Sequence, residues 1–167
     1  MINVTQYDNV IDNHEQVRDY ILSDKFTWHY QAGNADGTHP QQFEHHIYHP
    51  QHGILNEYLY SVFEKLVNDI YEAENKQLKE ICHMKVNCLL PPHKEHPLHR
   101  DDVHETNFIS ILYYPHTTTG ATNFMPNGKV EPVENSCIVF NSAMLHSASS
   151  PYTDRRVTVN ILTKEKV

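Results

Sequence analysis

After Met84 the chain becomes a series of short runs rich in β-branched and aromatic residues, each stopped by a turn. "HMKVNCLL" reads as a strand halted by Pro91-Pro92, and "NFISILYY" as the next. "ATNF" and "KVEPV" flank "MPNGK", where Asn127-Gly128 is a favoured pair for a tight hairpin turn. "SCIVF" and "RRVTVNIL" complete the series. Short strands at this spacing predict a mainly β chain of sandwich or barrel type, with a jelly-roll the natural form.

The stretch before residue 84 reads as helices and loops. "NHEQVRDYILS" predicts a helix with Asn13 as cap, Gln16 three residues on as in a capping box, and Val17, Tyr20 and Ile21 on one face. "ILNEYLYSVFEKLVNDIY" places Leu55, Tyr58, Leu59, Val62, Phe63, Leu66, Val67 and Ile70 at helical spacing. That apolar stripe needs a partner, and the sheet that follows can supply one. Between the two helices, "FTWHYQAGNADGTHPQQFEHHIYHPQHG" predicts short strands and a long loop over 31–51, of a length common in lids and clamps. Trp28, the single tryptophan, is expected in the core.

A chain of 167 residues suits one domain, 1–167, in which 1–83 supports and 84–167 carries the core strands. A net charge of -8 argues against a protein that grips nucleic acid, because such proteins concentrate Lys and Arg. Cys82, Cys88 and Cys137 form no CxxC, which argues against a disulfide framework or a thiolate zinc site and fits a reducing compartment. Cys88 and Cys137 fall in strand patterns and read as buried thiols. The N-terminus has neither the basic nor the apolar region of a signal peptide, and no apolar run reaches the ~18 residues of a membrane span. A cytoplasmic location is expected.

Chemistry gathers in two places. "HPLHRDDVHE" contains His99-Arg100-Asp101, an H-x-D. Residues two apart on an extended segment point the same way, so His99 and Asp101 can share an ion, and Arg100 points elsewhere. Asp102 competes with Asp101 but would face the opposite side. In so His-rich a chain, with 14 histidines, an H-x-D alone is weak. The second place is "FNSAMLHSASSPYTDRRVTVNI". His146 follows a buried-looking strand, and Arg156 opens the last one. On that strand Arg156, Thr158 and Asn160 alternate with Val157, Val159 and Ile161. A polar face containing Arg looks either to solvent or into a polar pocket. Two His and one carboxylate make a facial triad suited to ferrous iron with open positions. A fixed guanidinium offers a planar fork for a carboxylate. His45, His46, His93, His96, His104 and His116 read as loop or surface histidines, and Arg155 as a solvated neighbour of Arg156.

H-x-D, a distal His and a basic residue ten positions later on the last strand resemble the 2-oxoglutarate- and Fe(II)-dependent dioxygenases, and within them the prolyl-hydroxylase-like branch. The resemblance covers roughly residues 84–164. "ILYYPHTTTGATNF" is similar to that branch's tyrosine-bearing strand and its Gly-Ala-Thr turn, and "FTWHY" and "KVNCLLP" resemble small phage and marine-bacterial members. The resemblance implies a double-stranded β-helix core, cupin-like, braced by N-terminal helices. It implies that His99, Asp101 and His146 ligate iron and that Arg156 pairs with the distal carboxylate of 2-oxoglutarate. Tyr114 would hydrogen-bond the same carboxylate, with Tyr113 the alternative, and Thr158 and Asn160 would line the pocket. The implied reaction uses dioxygen to hydroxylate an unactivated C–H bond, with succinate and CO2 as coproducts. The implied substrate is a peptidyl side chain, prolyl-like, or a small molecule, and the implied setting is a bacterial or phage-infected host cytosol. The chain departs from the branch at Thr119-Gly120, where Gly-Gly is usual, and at Asn160 and Arg156, where an aromatic or Lys is common. Two other readings remain: a cupin-like metalloenzyme without 2-oxoglutarate, and a non-enzymatic jelly-roll binding module.

Overall fold

The computed structural model describes residues 4–33, 41–101, 107–126 and 128–166. In chain order the elements are β1 (Val4–Asp8), α1 (His14–Leu22), β2 (His29–Gln31), β3 (Gln42–His49), β4 (Gly53–Ile54), α2 (Glu57–Ala73), β5 (Leu78–Leu89), β6 (Phe108–Tyr114), β7 (Thr122–Phe124), β8 (Gly128–Val130), β9 (Ser136–Asn141), β10 (His146–Ala148) and β11 (Arg156–Glu165). The large sheet has the order β1-β9-β6-β11-β5-β3-β2, with β4 paired to β3. The small sheet has the order β10-β7-β8. All pairings are antiparallel. The segment before Asp101 extends the small sheet through bridges Glu95↔Ser149 and His99↔His146. The chain is thus mostly β, with antiparallel sheets consistent with a jelly-roll core.

The alternation seen in the sequence separates the two faces of the large sheet. Val157, Val159 and Ile161 of β11 are fully buried with Met84, Val86 and Cys88 of β5, against a layer built by the two helices. From α2, Leu59, Phe63, Leu66, Val67, Ile70 and Tyr71 enter that core. Each such burial contributes on the order of 1.5–3 kcal/mol relative to exposure. Leu55 and Tyr58, expected on the stripe, are 52% and 42% exposed: Leu55 precedes the Asn56 cap and Tyr58 sits in the first turn of the helix. The other face splits in two. Under β6 and β9, Leu112, Tyr114, Ile138 and Phe140 pack on Phe124 of the small sheet. Under β11 and β5 the same face is polar.

Several expectations for the first half need correction. Asn13 occupies the cap position of α1, but its side chain makes no capping bond. The side-chain cap falls on α2 instead, where Asn56 Oδ1 accepts from the Leu59 amide at 3.1 Å. The stretch read as helices and loops supplies β1, β2 and β3 to the large sheet. β3, eight residues long, lies inside the stretch expected to be a lid loop. β5 starts at Leu78, ahead of the boundary placed at residue 84. Its first residues carry Lys, Glu and Cys, which masked the strand pattern. Asn127 lies outside the described residues, but β7 and β8 do form a hairpin across it, with Phe124 opposite Gly128. Trp28 is partly buried against the helical core, 4.8 Å from Phe26 between ring centroids. Burial pushes the Cys88 thiol up to about 11 and the Cys137 thiol up to about 12.

Candidate active site

His99 and His146 face each other across a two-residue bridge. The His99 amide donates to the His146 carbonyl at 2.8 Å, and the His146 amide donates back at 2.9 Å. Asp101, one pleat further along, donates its amide to the Ser142 carbonyl at 3.0 Å. The three side chains converge, with one ligand atom from each lying within 4.8 Å of the others. Both Nε2 atoms lie 3.8 Å from Asp101 Oδ1, too far for direct hydrogen bonds.

The outer contacts fix what these atoms offer. His146 Nδ1 faces the Met144 carbonyl at 2.9 Å, and His99 Nδ1 faces the Pro97 carbonyl at 3.3 Å. A carbonyl only accepts, so each ring holds its proton on Nδ1 and turns a lone pair at Nε2 toward Asp101. Ser110 Oγ donates to Asp101 Oδ2 at 2.5 Å and leaves Oδ1 toward the histidines. Oriented second nitrogens and a hydrogen-bonded carboxylate are the outer contacts a metal triad needs. Burial and neighbouring His146 hold the His99 ring below its ordinary value, which also favours the neutral, ligating form.

These residues border a cavity of about 270 Å³ whose floor is the polar half of the large sheet. Arg156, Thr158 and Asn160 of β11 lie along that floor, opposite Leu89, Asn87 and Lys85 of β5. Arg156 is 3% exposed. Its Nη2 donates to Thr122 Oγ1 at 2.9 Å, and Tyr114 Oη lies 3.0 Å from the same oxygen. Arg156 Nε is buried without a hydrogen-bond partner, and no carboxylate pairs with the guanidinium among the described residues. Gly120, at φ +92°, gives the space beside it, because a Cβ there would sit 2.6 Å from the Ser149 carbonyl oxygen and 3.1 Å from Arg156 Cδ.

The two tyrosines separate cleanly. Tyr114 lies on the Arg156 side of the sheet, whereas Tyr113 points into the helical core, its ring 5.3 Å from Phe63 and its hydroxyl without a partner. The described histidines expected in loops or on the surface are partly buried and engaged in contacts. His96 forms a cavity wall, with Nε2 2.7 Å from Ser150 Oγ, and burial pushes it down to about 4. His93 stacks on Tyr152 at 4.0 Å, and His116 Nε2 accepts from the Val157 amide. His45 bonds the Thr27 carbonyl, and His46 links Glu44 to His83. Arg155 donates to the Leu22 carbonyl at the end of α1, where a cation suits the helix dipole. Arg100 turns to the Ala143 carbonyl but still borders the cavity mouth. Asp102 and His104 lie outside the described residues.

Sequence reasoning missed Ser110, Thr122, Lys85 and Asn87. Ser110 is the one polar residue within "FISILYY", and Thr122 closes the Gly-Ala-Thr turn. His83, Lys85 and Asn87 alternate with Met84, Val86 and Cys88, the same pattern that singled out β11.

No protein-family model matches the sequence, and no curated protein matches it. Solved structures do. A Pseudomonas putida prolyl-4-hydroxylase is similar over 100% of this chain and 95% of its own, with 15% identity and a TM-score of 0.65. The viral collagen prolyl hydroxylase of Paramecium bursaria Chlorella virus-1, solved with 2-oxoglutarate, is similar over 98% and 96%, with 12% identity and a TM-score of 0.66. The alpha ketoglutarate dependent carbocyclase SnoK from nogalamycin biosynthesis is similar over 96% and 79%, with 8% identity and a TM-score of 0.71. At such identities the likeness is one of fold: this chain has the fold of the 2-oxoglutarate and iron oxygenase structures.

Proposed function

We propose that the protein is an Fe(II)- and 2-oxoglutarate-dependent dioxygenase that hydroxylates an unactivated C–H bond. Its core would be a double-stranded β-helix braced by the N-terminal helices, within a single domain over 1–167. The observation that carries the reading is Arg156. A buried guanidinium with an unmet Nε and no carboxylate partner among the described residues is costly. It becomes favourable only if an anion enters the cavity, and a metal-ligating triad borders that same cavity. A cupin-like enzyme without 2-oxoglutarate, or a binding module, gives Arg156 no task.

His99, Asp101 and His146 fit a ferrous ion by donor type and count, and their single-face arrangement would leave its other positions for cosubstrate and dioxygen. When bound, the ion would activate dioxygen, the oxidant, with 2-oxoglutarate as the co-reductant that leaves as succinate and CO2. This chain's residues do the rest. Ser110 holds the Asp101 carboxylate in place. The Pro97 and Met144 carbonyls fix the two imidazole tautomers. Arg156 would receive the distal carboxylate of 2-oxoglutarate, with Tyr114 and Thr122 orienting its fork and Thr158 and Asn160 beside it. Leu112, paired with Asn160 on the neighbouring strand, adds an apolar side chain to the cavity lining.

The substrate would be a peptide side chain or a small molecule. Among the described residues no helix is long and apolar enough to cross a membrane. Buried thiols at Cys88 and Cys137 support a reducing cytoplasmic setting.

Anaerobic titration of the apoprotein with Fe(II) and then 2-oxoglutarate tests the proposal. A weak visible charge-transfer band is expected, present in the wild type and absent in Asp101→Ala. Iron binding without the band would favour the cupin-like reading. No iron binding would sink both.

A further inference from the structure

The cavity is longer than the cosubstrate needs. Arg156 and Asn160 are four residues apart on β11, ~13 Å at ~3.3 Å per residue. Lys85 lies directly opposite Asn160 on β5, and His83 opposite Leu162 beyond it. These groups line the same cavity as the triad, at the end away from Arg156. A five-carbon dicarboxylate is shorter than that floor, so one end on Arg156 would leave the Asn160 and Lys85 end for another ligand.

The charge of this cavity opposes that of the chain. The protein carries -8 overall, yet the cavity lining includes Lys85, Arg100 and Arg156 against the one carboxylate of Asp101. A divalent ion and a dicarboxylate cancel each other, so the loaded cavity keeps an excess of two positive charges among the described residues. Glu44, behind Lys85 at 3.3 Å, answers one of them. The remaining polar groups on this stretch of floor, His83, Asn87 and Asn160, are uncharged near neutrality or amides, and His83 is pushed down to about 4 by burial and Lys85. Lys85 lines the cavity and is only about a quarter exposed; its ammonium lies 3.3 Å from Glu44 Oε2, so an anion in the cavity would share it with that carboxylate. A cationic cleft in an acidic protein focuses anions toward itself. The cavity, at about 270 Å³, sits below the ~300–1,000 Å³ of drug-sized ligand sites and must also admit the cosubstrate. The part of a substrate that enters beside the metal is therefore small, which suits a small molecule.

We propose that the substrate is a small molecule bearing a carboxylate or phosphate, held by Lys85 on the floor with Arg100 at the mouth, so that a neighbouring carbon faces the metal. This rests on the oxygenase reading above. Lys85 is a substrate-binding residue that the reaction's metal and cosubstrate leave idle.

The test uses the full-length protein loaded with Fe(II) and 2-oxoglutarate. The charge-transfer band is recorded first, and its absence would sink the oxygenase reading and this proposal with it. With the band present, succinate release is measured with matched probes: free L-amino acids against their carboxamides, and sugar phosphates against the parent sugars. The expected result is stimulation by an acid or a phosphate and not by its neutral partner, with the responding set naming the anion. Lys85→Met is expected to raise the KM of that probe about tenfold or more while the band persists, and Lys85→Arg to recover most of it. Equal response to neutral partners, an unchanged KM in Lys85→Met, or no response to any probe would overturn the proposal.

Discussion

Tyr113 and Tyr114 are chemically identical neighbours with opposite surroundings. Tyr113 enters the helical core, packs on Phe63, and leaves its hydroxyl unpaired. Tyr114 crosses to the other face, where its hydroxyl joins Thr122 and Arg156. Burial raises both phenols, so both stay protonated. The difference applies to the whole sheet. One face is filled by helices and is almost wholly apolar, with the buried hydroxyls of Tyr71 and Thr163 paired to each other. The other is closed partly by the small sheet and keeps polar groups buried at a cost, which is the signature of a face kept for a ligand.

The strongest way to break this comparison is at the triad. Asp101→Ala should weaken Fe(II) binding by at least about 100-fold and remove turnover, yet leave the far-ultraviolet circular dichroism intact. If the fold is lost instead, the two faces are not separable. Phe63→Ala is the mirror experiment. It should cost about 3–5 kcal/mol in denaturant unfolding, with Fe(II) affinity of the folded fraction unchanged. Arg156→Met sharpens the contrast further. It should weaken 2-oxoglutarate binding by about 2–5 kcal/mol by calorimetry, while the ligand-free protein keeps or gains thermal stability, because a buried unpaired cation is gone. A large loss of apo stability would show that Arg156 is structural. The tyrosine pair then gives a finer test. Tyr114→Phe should weaken 2-oxoglutarate by about 1 kcal/mol, whereas Tyr113→Phe should leave it alone and leave stability equal or higher.

The smallest effect is in pH. Burial holds His83 and His96 near 4 against an ordinary 6.5. Above pH 6.5 both rings are neutral in the folded and unfolded chain. Below it the unfolded chain takes up protons that the fold resists down to about 4, so stability should fall as pH drops through this window. Denaturant midpoints from pH 7.5 to 4.5 measure the slope, and His83→Gln should flatten it.

The β11 alternation was legible in the sequence because both of its faces are buried, so each residue type had to declare its side. The same alternation runs through His83, Lys85 and Asn87 of "HMKVNCLL", but no motif marks it as a site; the polar residues Lys79 and Glu80 concealed only where β5 begins. β1 and β3 were harder to read. Edge and near-edge strands meet fewer apolar neighbours, and "QFEHHIYH" shows no clean period. H-x-D spacing named His99 and Asp101, and the distal position named His146. Ser110 and Thr122 were invisible as site residues, because a hydroxyl's role depends on a partner that only the fold brings near. The choice between Tyr113 and Tyr114 was open for a similar reason, since a one-residue shift in strand register exchanges the two faces.

The backbone bridge between His99 and His146 ties the site to the chain's dynamics. The two residues are far apart in sequence, and only four strands' worth of short pairing, from Glu95 through β8, holds the small sheet together. Such a sheet opens more readily than the large one. An ion held from both sides of the bridge would act as a rivet across its seam. Amide exchange at His99 and His146 should therefore slow in step with metal occupancy, while exchange in β11 stays as it was, and the candidate metal site would double as the lock on the less stable half of the fold.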